Sequence, residues 1–513
     1  MLGFEVEPVE AVPEEEVALR PSRLASPEVS RPGLMTDDRH ERLVHSYGRA
    51  YRDVVRAHRG AFSSPPDLVA FPADVDEVTE VLERADSLGA VVIPFGGGTS
   101  VVGGVEPRCA DEQPVISLDL GRLDRVLEVD PVSGSALIGA GARGPVLERQ
   151  LKAHDLTLRH FPQSFEWSTL GGWIATRAGG HFATRETHID DLVESVSAIT
   201  PTGSWESRRL PGSGAGPSPD RLMLGSEGIL GVITQAWVRV RPRPNFRARA
   251  TVGLPDFIEA ATGPVREIAQ SGLEPANCRL VDPVEAGLMG AGDGTEAVLM
   301  LGFESASVPV ADLLEQAIGI ARDGGGEVRS RSVADGGGEG EDGGSGSDRW
   351  KSAFLEAPYL RDRLICCGVL SETFESAITW ERLAEFHARV TEATREAAAS
   401  AGPSGGAAPR VTCRLTHLYR DGAAPYFTVL GPARRGEEEA QWDEIKAAAS
   451  EAIIEAGGTI THHHAVGRDH RPWYDRQRPD AFATALGAAK AALDPDWMLN
   501  PGVLIDPPSG PGR

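Results

Sequence analysis

The stretch Pro94-Phe95-Gly96-Gly97-Gly98-Thr99-Ser100-Val101-Val102-Gly103-Gly104 follows the apolar run Val91-Val92-Ile93 and packs five glycines into nine positions. Without Cβ atoms in the way, successive backbone N–H groups can converge on one anion, and a diphosphate is the natural guest. Alone, a Gly-Gly-Gly is more often a plain turn. The spacing is not Gly-x-Gly-x-x-Gly opening a helix, which speaks against a dinucleotide fold of the Rossmann type. Two later elements change the balance. Gln163-Ser164-Phe165-Glu166-Trp167-Ser168-Thr169-Leu170-Gly171-Gly172, continuing through Thr176-Arg177-Ala178-Gly179, combines hydroxyls, close-packing glycines and backbone amides in one loop and helix. Gly225-Ser226-Glu227-Gly228-Ile229-Leu230-Gly231-Val232-Ile233 sets a glycine turn directly before an apolar strand.

Outward from these elements the chain reads as an α+β protein of several domains, because 513 residues exceed one core. Residues 1–64 form an N-terminal arm and a leading helix, with Leu43, Val44, Tyr47, Tyr51, Val54 and Val55 at helical spacing from Asp37 to about Arg59. Residues 65–244 alternate short strands (68–71, 91–94, 115–118, 126–129, 136–140) with few helices, notably Asp74 to Leu88. Residues 245–430 continue in β/α alternation as an α/β substrate (cap) domain, opening with a strand at 248–254 and a helix from Asp256 to Ser271. A Gly, Asp, Glu and Ser-rich stretch at 323–348 cannot bury a core and is expected to be a disordered insertion, with Gly402 to Ala408 a shorter one. Residues 431–513 form a C-terminal helical segment, with helices near 437–456 and 479–493.

A formal charge of -24 argues against a nucleic-acid groove, so an anionic substrate must be held by local arginines. The five cysteines, Cys109, Cys278, Cys366, Cys367 and Cys413, lack zinc-site spacing. No apolar run approaches the roughly 18 residues of a membrane span, and the acidic start of the chain is unlike a targeting peptide. The expectation is a cytoplasmic protein. Peripheral membrane contact through one apolar loop is compatible with this composition.

Together the three glycine elements resemble the vanillyl-alcohol-oxidase (PCMH) type of FAD-binding domain, built of two subdomains with FAD extended between them. The resemblance implies that Pro94, Gly96, Gly97, Gly98, Thr99 and Ser100 hold the diphosphate. Gln163, Ser164, Ser168, Thr169, Gly172, Thr176, Arg177, Ala178 and Gly179 would run along the ribityl chain and flavin, and Glu227, Gly228, Gly231, Val232 and Ile233 along the adenine and ribityl side. Asn500-Pro501-Gly502 is also typical of the superfamily. No histidine lies between Pro94 and Gly104, so the FAD is expected to be non-covalent.

From about Pro65 to Leu504 the chain resembles the alkyldihydroxyacetonephosphate synthase family. The resemblance rests on Cys278-Arg279-Leu280-Val281-Asp282, Tyr359-Leu360-Arg361-Asp362, Gly368 to Glu375, Cys413 to Tyr419, Gly422 to Phe427 and Gly457 to Gly467. It departs from the eukaryotic pattern at Pro425, Thr428 and Val429. The family exchanges the acyl group of acyl-dihydroxyacetone phosphate for a long-chain fatty alcohol in ether lipid synthesis, a non-redox use of flavin in which the dihydroxyacetone-phosphate moiety is trapped at flavin N5. By resemblance, Arg361 binds substrate at its phosphate or carbonyl region and Arg279 assists near the reacting centre; arginine suits this work because it stays charged and grips oxyanions in bidentate fashion. Tyr426 would take and return the proton on the carbon under attack. Its phenol must then be lowered from about 10 by neighbouring cations or imidazoles, with His462-His463-His464 the expected source. In an extended segment these three rings alternate faces, so at most two meet one ligand, and no metal is expected. A homodimer is compatible with the family pattern.

Two rival functions share the fold. An FAD-linked 2-hydroxy-acid dehydrogenase or oxidase of the lactate or glycolate type uses an arginine on the carboxylate and a histidine on the hydroxyl proton. It typically carries Glu-His-Gly-x-Gly, where this chain has His463-His464-Ala465-Val466-Gly467 and lacks the glutamate. A flavin-binding protein without catalysis is the other, opposed by the functional residues outside the flavin domain.

Overall fold

The computed structural model describes residues 7–24, 31–108, 113–181, 188–335 and 360–507. The flavin region comprises two sheets. The first runs Met35–Thr36, Leu68–Ala70, Val115–Asp119, Val91–Phe95, with the last three strands parallel. Val91, Val92, Ile93 and Ile116 are fully buried, as strands covered on both faces require. One cover is the helix Val75–Ser87, whose N-terminus is capped by Asp74 accepting from the Glu77 N–H at 2.9 Å. The second sheet is antiparallel, in the order Val126–Asp130, Ser135–Gly139, Val232–Arg239, Val193–Thr200, Gly203–Glu206. The glycine turn leaves the end of Val91–Phe95 in the first sheet, and the Gly225–Gly231 turn leads into Val232–Arg239 in the second.

The cap is one antiparallel sheet in the order Glu327–Asp335, Phe246–Leu254, Ala297–Ser305, Asn277–Val281, Arg410–Leu418, Gly422–Pro432, Val369–Glu375. Helices Ala311–Asp323, Leu383–Ala401 and Glu438–Glu455 cover one face of it and form the largest core. Along Leu383–Ala401 the buried positions Leu383, Phe386, Val390, Thr394, Ala398 and Ala401 recur every three or four residues, the stripe a helix presents to a sheet. The remainder of the C-terminal segment returns to the flavin region. Leu499 makes a parallel bridge to Val92, and the Asn500 side-chain amide donates to the carbonyls of Gly104 at 3.0 Å and Glu227 at 2.8 Å.

Four sequence expectations are corrected. The stretch from 323 is not wholly an insertion: Asp323 ends a helix and Glu327–Asp335 is an edge strand paired with Phe246–Gly253. Its charged side chains lie at the rim, where Arg329 pairs with Glu296 and Arg331 with Glu315, each at 2.6 Å; residues 336–348 lie outside the described residues. Gly402 to Ala408 is a turn joining Leu383–Ala401 to Arg410–Leu418, closed by the Gly406 N–H donating to the Pro403 carbonyl at 3.0 Å. The leading helix is two, Arg39–Val44 and Tyr51–His58, because Gly48 packs so tightly on the Ser100 carbonyl that a Cβ there would overlap it. The helix Glu438–Glu455 belongs to the cap core through Trp442, Ile445 and Ala449, so the cap extends past residue 430.

Candidate active site

The glycine turn and the Ser168–Thr169 element lie flush against each other. A Cβ at Gly96 would overlap the Thr169 hydroxyl, and one at Gly97 the Trp167 carbonyl. Among the described residues, the N–H groups of Gly96, Gly97, Gly98 and Thr99 donate to no protein acceptor. Four adjacent amides converging in one glycine turn fit a diphosphate. Ser100 closes the turn, its hydroxyl accepting from Gly104 N–H at 3.1 Å. Thr169 caps the helix Leu170–Thr176 by accepting from Gly172 N–H at 3.3 Å, Ser168 accepts from the Trp173 indole at 2.7 Å and donates to the Ser164 carbonyl at 2.9 Å, and Thr176 donates to the Gly172 carbonyl at 2.8 Å. Arg177 ends that helix in the left-handed region, φ 53°, and pairs with Asp190 at 2.8 Å. Ala178 and Gly179 carry the chain on toward the cap.

Glu227 also lies in the left-handed region, φ 50°. Its carboxylate accepts from Val466 N–H at 2.9 Å and Gly467 N–H at 2.8 Å, tying the Gly225–Gly231 turn to the C-terminal segment. Burial pushes this carboxyl up to about 7 against those hydrogen bonds. Beside it, Gly228 at φ 77° lets the chain pass over Pro94, and Val232 and Ile233 are buried.

The cap presents its chemistry on the sheet face opposite the helices. Glu375 is in register with Tyr426, and Tyr426 with Arg414. Val281 pairs with Arg414, which places Arg279, two residues earlier, on that same face. The intervening residues Leu280, Phe374, Leu415 and Phe427 enter the core under the helices. Period-two alternation therefore separates a charged face from an apolar one, and all four functional side chains are buried.

Against this face the segment Thr461 to His464 bends around Glu375 rather than running extended, which corrects the sequence expectation. The Glu375 carboxylate accepts the N–H of His462 at 2.6 Å, of His463 at 3.1 Å and of His464 at 2.9 Å, and the Thr461 hydroxyl at 2.6 Å. Burial alone would raise this carboxyl; the hydrogen bonds it accepts from the Thr461 hydroxyl and the backbone N–H groups work against that, and its value lies below the ordinary one. The rings cluster: His462 Nδ1 lies 2.9 Å from His463 Nδ1, His462 Nε2 is bonded to the Tyr419 hydroxyl, and His463 and His464 flank Tyr426 at ring-centroid distances of 6.0 and 5.3 Å. His417 and His188 pack on His462, at 4.8 and 4.6 Å.

Burial pushes the His462, His464 and His417 imidazoles well below their ordinary value and His463 to about 3. Neutral rings cannot lower the Tyr426 phenol, which corrects a second expectation. Burial raises that phenol, and the opposing cations are Arg414, centred 3.9 Å over the ring, and Arg361. Arg279 is buried, donates to the His181 carbonyl at 3.0 Å, and is lowered to about 9 by burial and by Arg414. Arg361 is half-exposed beside the leading helices, where it donates to the Arg49 carbonyl. Ligand atoms of His417, His462 and His463 lie within 4.8 Å of one another, a grouping a metal ion could use; the two guanidiniums of Arg279 and Arg414 alongside make it better suited to an anion. Glu375, Arg414 and His417 fall in the blocks that carry the resemblance but were given no role from the sequence, and His188 was not singled out; the first two stand in apolar strands where a charge must have a buried partner.

The two regions meet at Gly179, where a Cβ would lie 2.9 Å from His417 Nε2 and 3.4 Å from His463 Cβ. A flavin-type cradle and a cationic, imidazole-lined sheet face thus adjoin. Residues 66–207 match the family model "FAD binding domain" and residues 243–504 match "FAD linked oxidases, C-terminal domain", so the molecule is an FAD-binding flavoenzyme of the FAD-linked oxidase class. Within that class the chain belongs to the alkyldihydroxyacetonephosphate synthase family: it is 31% identical over 489 residues to the alkyldihydroxyacetonephosphate synthase of Caenorhabditis elegans, covering 91% of this chain and 80% of that one. Its counterpart in Dictyostelium discoideum is 29% identical over 500 residues, covering 92% and 79%. A solved alkyldihydroxyacetonephosphate synthase structure superposes with a TM-score of 0.80 at 26% identity, covering 97% of this chain and 89% of that chain. Among the described residues no helix is long and apolar enough to cross a membrane.

Proposed function

We propose that the protein is an FAD-dependent alkylglycerone-phosphate synthase, which exchanges the acyl group of acyl-dihydroxyacetone phosphate for a long-chain alcohol. The observation that carries this is the single sheet face that brings Arg279, Arg414, Tyr426 and Glu375 to the histidines and to Gly179 of the flavin region. In balance, the bond between the dihydroxyacetone carbon and the ester oxygen breaks and the fatty acid leaves as its carboxylate. The alcohol oxygen bonds to that same carbon and gives up its proton.

The amides of Gly96 to Thr99 would hold the FAD diphosphate, with Ser168, Thr169, Thr176 and Gly179 along the ribityl chain and ring. Bound FAD supplies a ring that can give and recover an electron pair without net oxidation. Arg279 and Arg361 hold the substrate's phosphate and carbonyl oxygens, as permanent, bidentate cations suit. Tyr426 Oη takes a proton from the substrate carbon and returns it. The neutral imidazoles donate and accept hydrogen bonds around the substrate without competing for the phosphate charge, and close packing excludes water.

Both substrates are lipid-like, so a cytoplasmic enzyme that draws them from a membrane surface, and works as a homodimer, belongs to this proposal; vesicle flotation and sedimentation are the measurements. Purified protein given palmitoyl-dihydroxyacetone phosphate and hexadecanol is expected to form ether product without oxygen or an electron acceptor. No product with FAD bound counts against it. The absent glutamate before His464 disfavours 2-hydroxy-acid oxidation, and anaerobic bleaching of the flavin by lactate or glycolate would restore that function.

A further inference from the structure

We propose that Arg414, anchored by Glu285, is a positioning residue for the exchange: its guanidinium lies over the Tyr426 ring, fixes that phenol and stabilises its phenolate. This rests on Tyr426 being the group that moves the proton. Arg414 and Tyr426 are directly opposite on adjacent strands, and the guanidinium is 3.9 Å from the ring centroid. Glu285 ion-pairs with Arg414 through one carboxylate oxygen, and the other accepts the Thr412 hydroxyl at 2.8 Å. Glu285 is itself placed by the helix Pro283–Leu288, whose cap, Asp282, accepts the Glu285 N–H at 2.7 Å. Arg414, Glu285 and Tyr426 are each no more than 5% exposed.

Taking an arginine and a glutamate out of water is costly, and an apolar pair of equal volume generally serves a fold as well. Here the pair ends on the one phenol in the site that must both lose and regain a proton. Among its neighbours, Arg414 is the cation whose pull on the phenol is largest, ahead of Arg361, while Glu375 acts in the opposite sense. The Thr373 hydroxyl also favours the phenolate. His463 and His464 flank the ring as neutral imidazoles, and Gln163 Oε1 lies 3.5 Å from the hydroxyl as an acceptor for the protonated form. Burial favours the neutral phenol, so one stacked, immobile guanidinium is what keeps the proton mobile. A lysine in its place would carry the charge without the planar stacking or the fixed fork.

The test compares holoenzyme of wild type, Arg414→Lys, Glu285→Gln and Tyr426→Phe. Three quantities are read: kcat and KM against pH, the near-ultraviolet titration of tyrosinate by difference from Tyr426→Phe, and flavin content. For Arg414→Lys the expected result is a kcat lower by about ten- to a hundredfold, KM within about twofold, and a Tyr426 midpoint and pH limb higher by about one unit. Glu285→Gln moves both in the same direction by less, and decides the matter if Arg414→Lys fails to keep flavin. An unmoved tyrosinate midpoint and pH limb in flavin-loaded variants, with Tyr426→Phe inactive, overturns the role of Arg414. A fully active Tyr426→Phe instead removes the proton-transfer role of Tyr426 on which the proposal stands.

Discussion

Glu375 accepts the backbone N–H of His462 at 2.6 Å, and the two residues stand 87 positions apart in the chain. The carboxylate has no exposure and organises the whole His462 to His464 bend. Replacing it with glutamine turns one oxygen into a donor facing donors. Glu375→Gln is expected to lower unfolding free energy by about 3 kcal/mol and to abolish exchange, measured by chemical denaturation and product formation.

The same carboxylate gives a pH dependence with a definite sign. Its folded value lies below the ordinary 4.5. Its contribution is therefore fully present above the unfolded value and is lost as pH falls through the depressed folded value. Wild type minus Glu375→Gln stability, measured from pH 7 downward, should stay level until about pH 4.5 and then shrink; a difference that grows on acidification would contradict the nest.

Gly179 separates cofactor binding from chemistry. The Cβ of Gly179→Ala would lie 2.9 Å from His417 Nε2, so the imidazole must shift by several tenths of an ångström. Because the methyl meets His417 and His463, kcat is expected to fall about tenfold or more, by a larger factor than flavin content falls. Equal loss of flavin and activity would show the glycine serving the cradle alone.

Two glycines make an internal control for the turn. In Gly97→Ala the new methyl overlaps the Trp167 carbonyl, a backbone atom that cannot move aside, and purified protein is expected to be colourless. In Gly319→Ala, within the helix Ala311–Asp323, nothing lies within 4 Å of the new methyl. There the substitution should raise stability by up to about 1 kcal/mol and leave flavin content unchanged.

The flavin is expected to dissociate. Acid precipitation of holoenzyme should leave the yellow colour in the supernatant, since no histidine lies between Pro94 and Gly104 to bond it; colour retained in the pellet would point to a covalent link elsewhere.

What could be read from the sequence was what repeats locally. The helix at 75–87 and the strand at 232–239 carry their own periodicity, the strand at 91–95 is a continuous apolar run, and the glycine elements announce a backbone that must be approached closely. The break at Gly48 could not be seen because its cause, the Ser100 carbonyl, lies in another segment. The edge strand 327–335 was obscured because polar composition and edge position look alike in one dimension. Arg279 and Tyr426 were found by resemblance. Arg414 lay in the Cys413 to Tyr419 block without a role and Glu285 outside every block, since their meaning arises only when a helix and a strand 129 residues apart meet over Tyr426. The histidines were found but misdrawn: a run of three suggests a strand, whereas a buried carboxylate elsewhere bends it.

The Asn500 clamp on Gly104 spans 396 residues. The cradle's first strand therefore leaves the ribosome long before the residues that bridge to Val92 and pin the glycine turn. Flavin loading is then expected to follow synthesis rather than accompany it, and chains that stop short of Leu499 and Asn500 should remain colourless however much FAD surrounds them. For production of active protein, the supply of cofactor matters after translation, and a partial chain is a poor reservoir for it.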